Sequence, residues 1–206
     1  MKNDYPQGIP EILDMIHNQT FDSVLAEKLL DGVDLDAPIC DKDGYSTTYL
    51  CEAVIENNLP AVAFLLEHGS NPNLNDPDLI HDCPLWELQY LWDTPDWETR
   101  YEIAKLFFAH GADPNLESDG ESLYDYVLFK VFNDTPLDDN DWENLRHLFL
   151  LLAIYGGGGK CYPRPILQDV NMGRVDDYDI VFSPHESGHG LIANVVDGEG
   201  NIVGWL

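Results

Sequence analysis

Two nearly identical ten-residue motifs constrain the fold of this chain more than any other feature of its sequence. Residues 65–74 and 107–116 each pass from apolar residues through His-Gly to a Pro-Asn pair. Glycine directly after a helix adopts the left-handed conformation that closes the last turn, and Asn-Pro or Asp-Pro then starts a loop. The motif therefore predicts one helix ending at Gly69 and another ending at Gly111. Its duplication predicts internal repeats.

A weaker copy of the motif at residues 29–34 follows two short predicted helices, at residues 11–17 and 23–30. Thr20 or Asp22 is expected to cap the second helix. Helical spacing predicts that its buried side carries four apolar residues: Val24, Leu25, Leu29 and Leu30. We interpret this helix pair as an N-terminal capping repeat.

The clearest repeat consists of an extended hairpin over residues 34–44, a helix over 45–57, a tight turn and a second helix that ends at Gly69. The glycines that close successive units are Gly32, Gly69, Gly111 and Gly156, and the intervals between them lengthen along the chain. The longer intervals predict insertions over residues 90–98 and 133–141. Each insertion leads to a tryptophan that opens the next helix, Trp97 or Trp142. His68 and His110 are expected to cap helix ends.

This unit resembles the ankyrin repeat, which combines a turn with two antiparallel helices. Residues 48–53 fall where that family has Thr-Pro-Leu-His-x-Ala, and residues 83–88 fall there in the next unit. In the unit after that, residues 119–124 match the family's Asp-Gly followed by Thr-Pro-Leu-His. The resemblance covers roughly residues 10–156. Ankyrin repeats are mostly protein-interaction modules, so the resemblance implies a binding protein without catalytic activity.

After Gly156–Gly159, a run that cannot continue a helix, the pattern changes to strands. Residues 178–182, 191–196 and 202–206 are β-rich, and the last two flank a turn at residues 197–201. The predicted fold is therefore mainly α. It consists of an ankyrin-like solenoid of about four degenerate units over residues 1–156 and a small antiparallel β cap over residues 157–206 that packs on the last repeat.

The charge of the chain restricts its partners. Asp and Glu number 38 against 10 Lys and Arg, which gives a formal net charge of −28. A field of that sign repels nucleic acid and anionic membranes and attracts cationic proteins. The alternative is that the acidic residues serve only solubility.

The remaining motifs favour a cytoplasmic protein with no catalytic site, metal or cofactor. The four cysteines are widely separated, and the N-terminus carries no apolar signal segment. His185-Glu186-Ser187-Gly188-His189 matches the His-Glu-x-x-His pattern of zinc hydrolases. However, its glycines and the flanking predicted strands favour a turn over the helix that zinc binding requires. A zinc hydrolase remains an alternative that metal analysis would test.

Acidic and aromatic residues concentrate on the predicted hairpins. Equivalent hairpins of a solenoid align along one edge, so we expect a single acidic strip that binds the partner. Its predicted residues are Asp34, Asp36, Asp41, Asp43, Tyr45, Asp76, Asp78, Asp82, Trp86, Glu117, Asp119, Glu121 and Tyr124. The alternative is that the aromatic residues are buried and the acids merely solvated.

These features predict a monomeric inhibitor or immunity-type protein that occludes a basic partner such as a toxin nuclease. The alternative within the binding class is a general scaffold or adaptor with no inhibitory role. Binding that weakens with salt favours the first, whereas salt-insensitive apolar binding favours the second.

Overall fold

The computed structural model describes residues 6–41, 43–79, 83–93, 96–118, 120–127, 144, 147–152, 155, 178–184 and 191–205. Within these residues the protein combines helices with small antiparallel sheets. The chain divides into two compact units, Met1–Ala112 and Asp113–Leu206. The domain boundary predicted between residues 156 and 157 falls outside the described residues and stays a prediction.

The first unit is built from paired helices and one short hairpin. Its elements are α1 (Pro10–His17), α2 (Ser23–Leu29), β1 (Ile39–Cys40), β2 (Ser46–Thr47), α3 (Tyr49–Ile55), α4 (Leu59–Glu67), a 3₁₀ helix (Trp86–Asp93) and α5 (Trp97–Ala109). Trp97, the tryptophan predicted to open the helix after the first insertion, is the first residue of α5. The prediction of a helix that ends at Gly111 is likewise confirmed.

The helices of the first unit pack in chain order and form two layers. The first members of the pairs contact one another, α1 with α3 and α3 with the 3₁₀ helix. The second members do the same, α2 with α4 and α4 with α5. Because each helix buries apolar side chains against its neighbours, the core runs continuously through the pairs. Among its most buried members are Ile12, Ile16, Leu50, Leu65 and Ile103.

Glycine closes the second helix of two pairs, as the repeated motif predicts. Gly69 and Gly111 have φ angles of +96° and +86°. The N–H of the residue after each glycine donates to a carbonyl in the last helical turn, Ser70 to Leu65 and Ala112 to Phe107, both at 3.0 Å. This is the bonding pattern of the Schellman motif, which satisfies carbonyls that the helix leaves unpaired. His68 adds to the cap, because its Nδ1 lies 2.7 Å from the Phe64 carbonyl oxygen.

The helix predicted over residues 45–57 begins later than expected, at Tyr49. Ser46 and Thr47 pair with β1 in a hairpin instead. Thr48 then caps the helix, since its hydroxyl accepts a hydrogen bond from the Cys51 N–H at 3.2 Å. Ser and Thr are weak helix formers, so the strand pairing, a contact between separate segments, prevails over an earlier start of the helix.

The prediction for the buried side of α2 is partly wrong. Asp22 caps the helix as expected, accepting from the N–H groups of Val24 and Leu25. Val24 and Leu25, however, are 61% and 41% exposed. The buried residues are Ala26 and Leu30, four positions apart, which is the spacing of one helical face.

The second unit contains a short hairpin, helical segments and a three-stranded sheet. The hairpin pairs β3 (Glu117–Ser118) with β4 (Glu121–Ser122), and residues 123–127 and 147–152 are helical. The sheet has the order β5 (Tyr178–Pro184), β6 (Leu191–Asp197) and β7 (Ile202–Trp205), all antiparallel. The three predicted strands are confirmed. The second predicted insertion, Trp142 and Gly156–Gly159 lie outside the described residues.

Candidate protein-interaction surface

Some acidic residues of the loops accept hydrogen bonds from their own loop, and others are exposed at the surface. In three Asp-x-Asp stretches the first carboxylate accepts a hydrogen bond from the backbone N–H two residues later. The N···O distances are 3.1 Å for Asp34, 2.9 Å for Asp41 and 3.0 Å for Asp76. This is the Asx turn, in which a side chain replaces a backbone acceptor. The first acid of each stretch therefore shapes the loop.

Asp41 is the most buried of these three residues. Only 8% of its surface is exposed, and its Oδ1 also accepts from the Tyr45 N–H at 2.7 Å. A carboxylate with two backbone donors is poorly placed to meet a partner. Asp43 and Tyr45, at the tip of the same turn, are exposed, Tyr45 by 52%. Asp43 and Tyr45 are therefore the members of the predicted strip that this hairpin displays.

Hydrogen bonds join successive loops in the first unit. The Asp36 carboxylate, in the loop after α2, accepts from the Asn71 N–H in the loop after α4 at 2.9 Å. From the same loop, the Asn73 side chain donates to the Gly111 carbonyl at the end of α5, also at 2.9 Å. Asp36 thus holds neighbouring loops together. The loops that carry Asp34 and Asp78 are therefore joined to each other.

The turns inside the helix pairs are linked in the same way. The Gln19 amide donates to the Glu56 carbonyl, and the Asn57 amide donates to the Asp96 carboxylate at 2.9 Å. Asn58, which caps α4, also donates to the Ile16 carbonyl at 2.9 Å. A contact between His17 Nε2 and Glu52 Oε2 at 3.0 Å joins α1 to α3. Both ends of the paired helices are therefore tied to the next pair.

The aromatic members of the predicted strip differ in accessibility. Trp86 is partly exposed at the start of the 3₁₀ helix. Tyr124 is only 5% exposed, and its ring stacks on Phe149 with centroids 5.6 Å apart. Burial, with a further contribution from Asp125, raises the pKa of the Tyr124 phenol. Tyr124 packs inside the second unit, which fits the alternative of buried aromatic residues.

The rest of the predicted strip lies in the second unit or outside the described residues. Glu117 and Glu121 are exposed on opposite strands of the β3–β4 hairpin. Asp82 and Asp119 fall outside the described residues. The alignment of the β3–β4 hairpin with the loops of the first unit stays a prediction.

The perturbed groups of the first unit are packed inside it. Burial raises the pKa of the Cys51 thiol, against the opposing effect of a hydrogen bond with Thr48. It also raises the pKa of the Tyr49 phenol, whose oxygen accepts from the Ile9 N–H at 2.8 Å. For Arg100, burial lowers the pKa, and the nearby acids Asp96 and Glu87 oppose that shift. These side chains serve packing and helix capping.

Among the described residues no group of three or more His, Cys, Asp or Glu side chains is arranged to hold a metal ion. The His185, Glu186 and His189 stretch lies outside those residues, so the zinc alternative stays a hypothesis. In the same described part, none of the helices has both the length and the apolar character needed to cross a bilayer. No protein-family model matches the chain, and a search of curated proteins finds no match.

One group of surface residues was not anticipated from the sequence. Val24, Leu25 and Val33 are apolar, yet they are 61%, 41% and 37% exposed. The only sequence signal for this is the Ala26–Leu30 spacing, which defines a competing apolar face of α2.

Proposed function

We propose that this chain is an ankyrin-like repeat protein that binds a basic protein partner through its acidic loops. The observation that carries the proposal is the regular linkage between neighbouring helix pairs. Equivalent helices contact each other in chain order, and equivalent loops are joined by the Asp36–Asn71 and Asn73–Gly111 hydrogen bonds. Side-by-side packing of similar units is what distinguishes a solenoid from other helical folds.

The chemistry of the loops supports a cationic partner. Asp43, Asp78 and Glu121 are exposed acids at hairpin or loop positions, and Tyr45 offers an exposed aromatic ring beside Asp43. With a net charge of −28, the whole molecule adds a long-range attraction for positive proteins. Acidic residues around an aromatic anchor suit a partner that presents Lys and Arg.

Within this proposal, the specific role is that of a cytoplasmic inhibitor of the immunity type, without catalytic activity or cofactor. A protein that acts on nucleic acid must offer positive charge to phosphate. The acids of this chain would compete for the same Lys and Arg side chains and thereby block the site. A general scaffold with no inhibitory role is the outcome if the captured partner keeps its activity when bound.

The test is capture from cell lysate at about 0.1 M and about 1 M ionic strength, where the screening length falls from about 10 Å to about 3 Å. We expect basic proteins to be enriched at low salt and lost at high salt. The loop variant Asp43→Asn/Asp78→Asn/Glu121→Gln should retain less of them. The captured protein should also lose its affinity for nucleic acid when the chain is bound.

A matched control separates the loops from the overall charge. The variant Glu11→Gln/Asp14→Asn/Glu67→Gln removes three exposed acids that lie on α1 and α4 and not on the loops. It changes the net charge as much as the loop variant does, so it should retain binding. Equal loss from both variants would contradict a specific loop surface. Capture of only neutral or acidic proteins, insensitive to salt, would overturn the proposal altogether.

A further inference from the structure

An apolar surface lies exposed beside the acidic loops, on the outer side of α2. Val24 and Leu25 are consecutive residues of the helix, and Val33 follows its end. Because a seven-residue helix is about 10 Å long and the Val33 N–H bonds to the Leu30 carbonyl at its end, the backbones of the three residues lie within about 15 Å of one another. We name Val24, Leu25 and Val33 the α2 face. Four of the five large hydrophobic residues found exposed among the described residues occur between positions 24 and 45.

The rotation of α2 that exposes these residues is fixed by several contacts. Asp22 caps the helix start, and the Phe21 ring packs on Phe64 of α4 with centroids 5.5 Å apart. On the inner side Ala26 is 0% and Leu30 is 7% exposed. At the far end, the Val33 N–H donates to the Leu30 carbonyl at 3.0 Å, which holds Val33 at the helix terminus. The exposure therefore belongs to the packed state of the helix.

The surroundings of the α2 face are acidic. Four exposed acids lie on or next to the helix and its following turn: Asp22, Glu27, Asp31 and Asp34. Lys28 is the single basic residue of the helix. A second copy of this chain would bring the same acids against these, with −28 on each molecule, so self-association here is opposed by charge. A nucleic acid is opposed for the same reason.

We propose that the α2 face is a docking site for an amphipathic basic segment of a protein partner, one that carries apolar side chains flanked by Lys or Arg. The apolar side chains cover Val24, Leu25 and Val33, and the basic residues meet Glu27 and Asp31. Asp22 and Asp34 already accept backbone hydrogen bonds and add only to the local negative charge. The inference rests on the proposed function and deepens it. The acidic loops give long-range attraction, and the α2 face supplies apolar area, which carries most of the energy at interface centres.

The test uses two synthetic helical peptides of equal charge as probes. In the first, leucine lies along one face and lysine along the rest. In the second, serine replaces every leucine. Binding to the full chain is measured by calorimetry at about 0.15 M ionic strength, where purely electrostatic contacts are screened beyond about 8 Å. We expect the leucine peptide to bind at least about tenfold more tightly than the serine peptide, because it buries apolar area on α2.

Variants assign that difference to the α2 face. Val24→Ser/Leu25→Ser should weaken binding of the leucine peptide about tenfold and leave the serine peptide unchanged. Ile202→Ser is the matched control, since Ile202 is 64% exposed and belongs to the second unit. It should change neither peptide. Equal affinity of the two peptides for the wild-type chain, or equal losses in both variants, would overturn the inference.

Two other occupants of the face give different results, and each would overturn the proposal. If a second copy occupies it, ultracentrifugation will show a wild-type dimer and a monomer for Val24→Ser/Leu25→Ser. If another part of this chain covers it, the same variant will have a clearly lowered melting temperature. Failure of the proposed function is distinguishable, because then neither peptide binds even at about 0.01 M ionic strength. If both peptides bind equally, only the α2 inference fails.

Discussion

At the scale of single residues, identical side chains in these loops do different work. Asp34, Asp41 and Asp76 fold back on the backbone, whereas the second acid of the stretch, as in Asp43 and Asp78, is displayed at the surface. In each stretch the first Asp accepts from the N–H two residues on, which is the Asx turn. In the first stretch the second acid, Asp36, is also engaged, because it accepts from the Asn71 N–H. Acidity counted from the sequence therefore overstates the charge that is available to a partner.

Asp41 and Asp43 provide the direct comparison. Asp41→Ala removes an acceptor of two backbone hydrogen bonds at a site that is 8% exposed, and we expect it to lower the free energy of unfolding by about 2 kcal/mol. Asp43→Ala should change it by no more than about 0.5 kcal/mol, because Asp43 is exposed. Urea denaturation followed by circular dichroism measures both values. Equal losses would show that the Asx turn does not stabilise the hairpin.

At the scale of secondary-structure elements, the helix ends distinguish the first helix of each pair from the second. The second helices close at Gly69 and Gly111, whereas the first helices close at Gln19 and Asn57, which also have positive φ angles, of 57° and 55°. The side chains of Gln19 and Asn57 contact the next helix pair. Gln19 and Asn57 adopt the left-handed conformation despite its energetic cost, and their side chains link neighbouring helix pairs.

Gly69 isolates the backbone contribution to this design. A Cβ at Gly69 would meet nothing within 4 Å, so substitution introduces no collision. Gly69→Ala should still cost about 1 kcal/mol of unfolding free energy, because alanine disfavours a φ of +96°. Gly69→Asn should cost less, since asparagine tolerates the left-handed conformation. Chemical denaturation of the two variants tests the ranking. A neutral Gly69→Ala would mean that the helix end relaxes to another conformation.

The β6–β7 turn gives a prediction that depends on pH. The Asp197 carboxylate accepts from the Glu199 N–H at 3.0 Å and from the Asn201 N–H at 2.8 Å. The Asn201 side chain, then its backbone, hold the pKa of Asp197 below its usual range. The ionised group thus favours the folded turn above the pKa of an unfolded Asp, and this support is lost as pH falls through the lowered folded pKa.

Carboxyl carbon NMR shifts recorded against pH should show Asp197 titrating below an ordinary Asp, and the Asn201 amide shift should follow the same midpoint. Asp197→Ala serves as the control, because it should remove this titration from both signals. A midpoint at the usual Asp value would contradict the hydrogen-bonded turn.

The sequence predicts elements best where a local signal fixes them. The glycine caps, the start of α5 at Trp97 and the three C-terminal strands all follow from short patterns. The rotation of α2 does not, because Val24, Leu25, Ala26, Leu29 and Leu30 are all apolar and allow more than one buried face. Packing of Ala26 and Leu30 toward the core selects among those faces. The late start of α3 and the burial of Asp41 likewise depend on the β1–β2 hairpin, a contact between separate segments.

At the scale of the whole molecule, the excess of acids acts on stability as well as on partners. A net charge of −28 on 206 residues repels itself, and compaction brings those charges closer together. The internal uses of carboxylates, such as the Asp36 bond between loops, offset only part of this repulsion. The net charge on which the proposed binding of a basic partner relies therefore also weakens the isolated fold.

Salt should consequently act on stability and on binding in opposite directions. Raising the ionic strength from about 0.01 M to about 0.15 M shortens the screening length from about 30 Å to about 8 Å. Screening of the self-repulsion should raise the melting temperature by roughly 3 °C, which corresponds to about 1 kcal/mol for a chain of this size. Over the same range the affinity for a basic partner should fall. Thermal unfolding by circular dichroism measures the first effect, and the Glu11→Gln/Asp14→Asn/Glu67→Gln variant should show a smaller rise because it carries less charge. A melting temperature that falls with salt would mean that attractive ion pairs, and not the acidic excess, dominate the electrostatics of the fold.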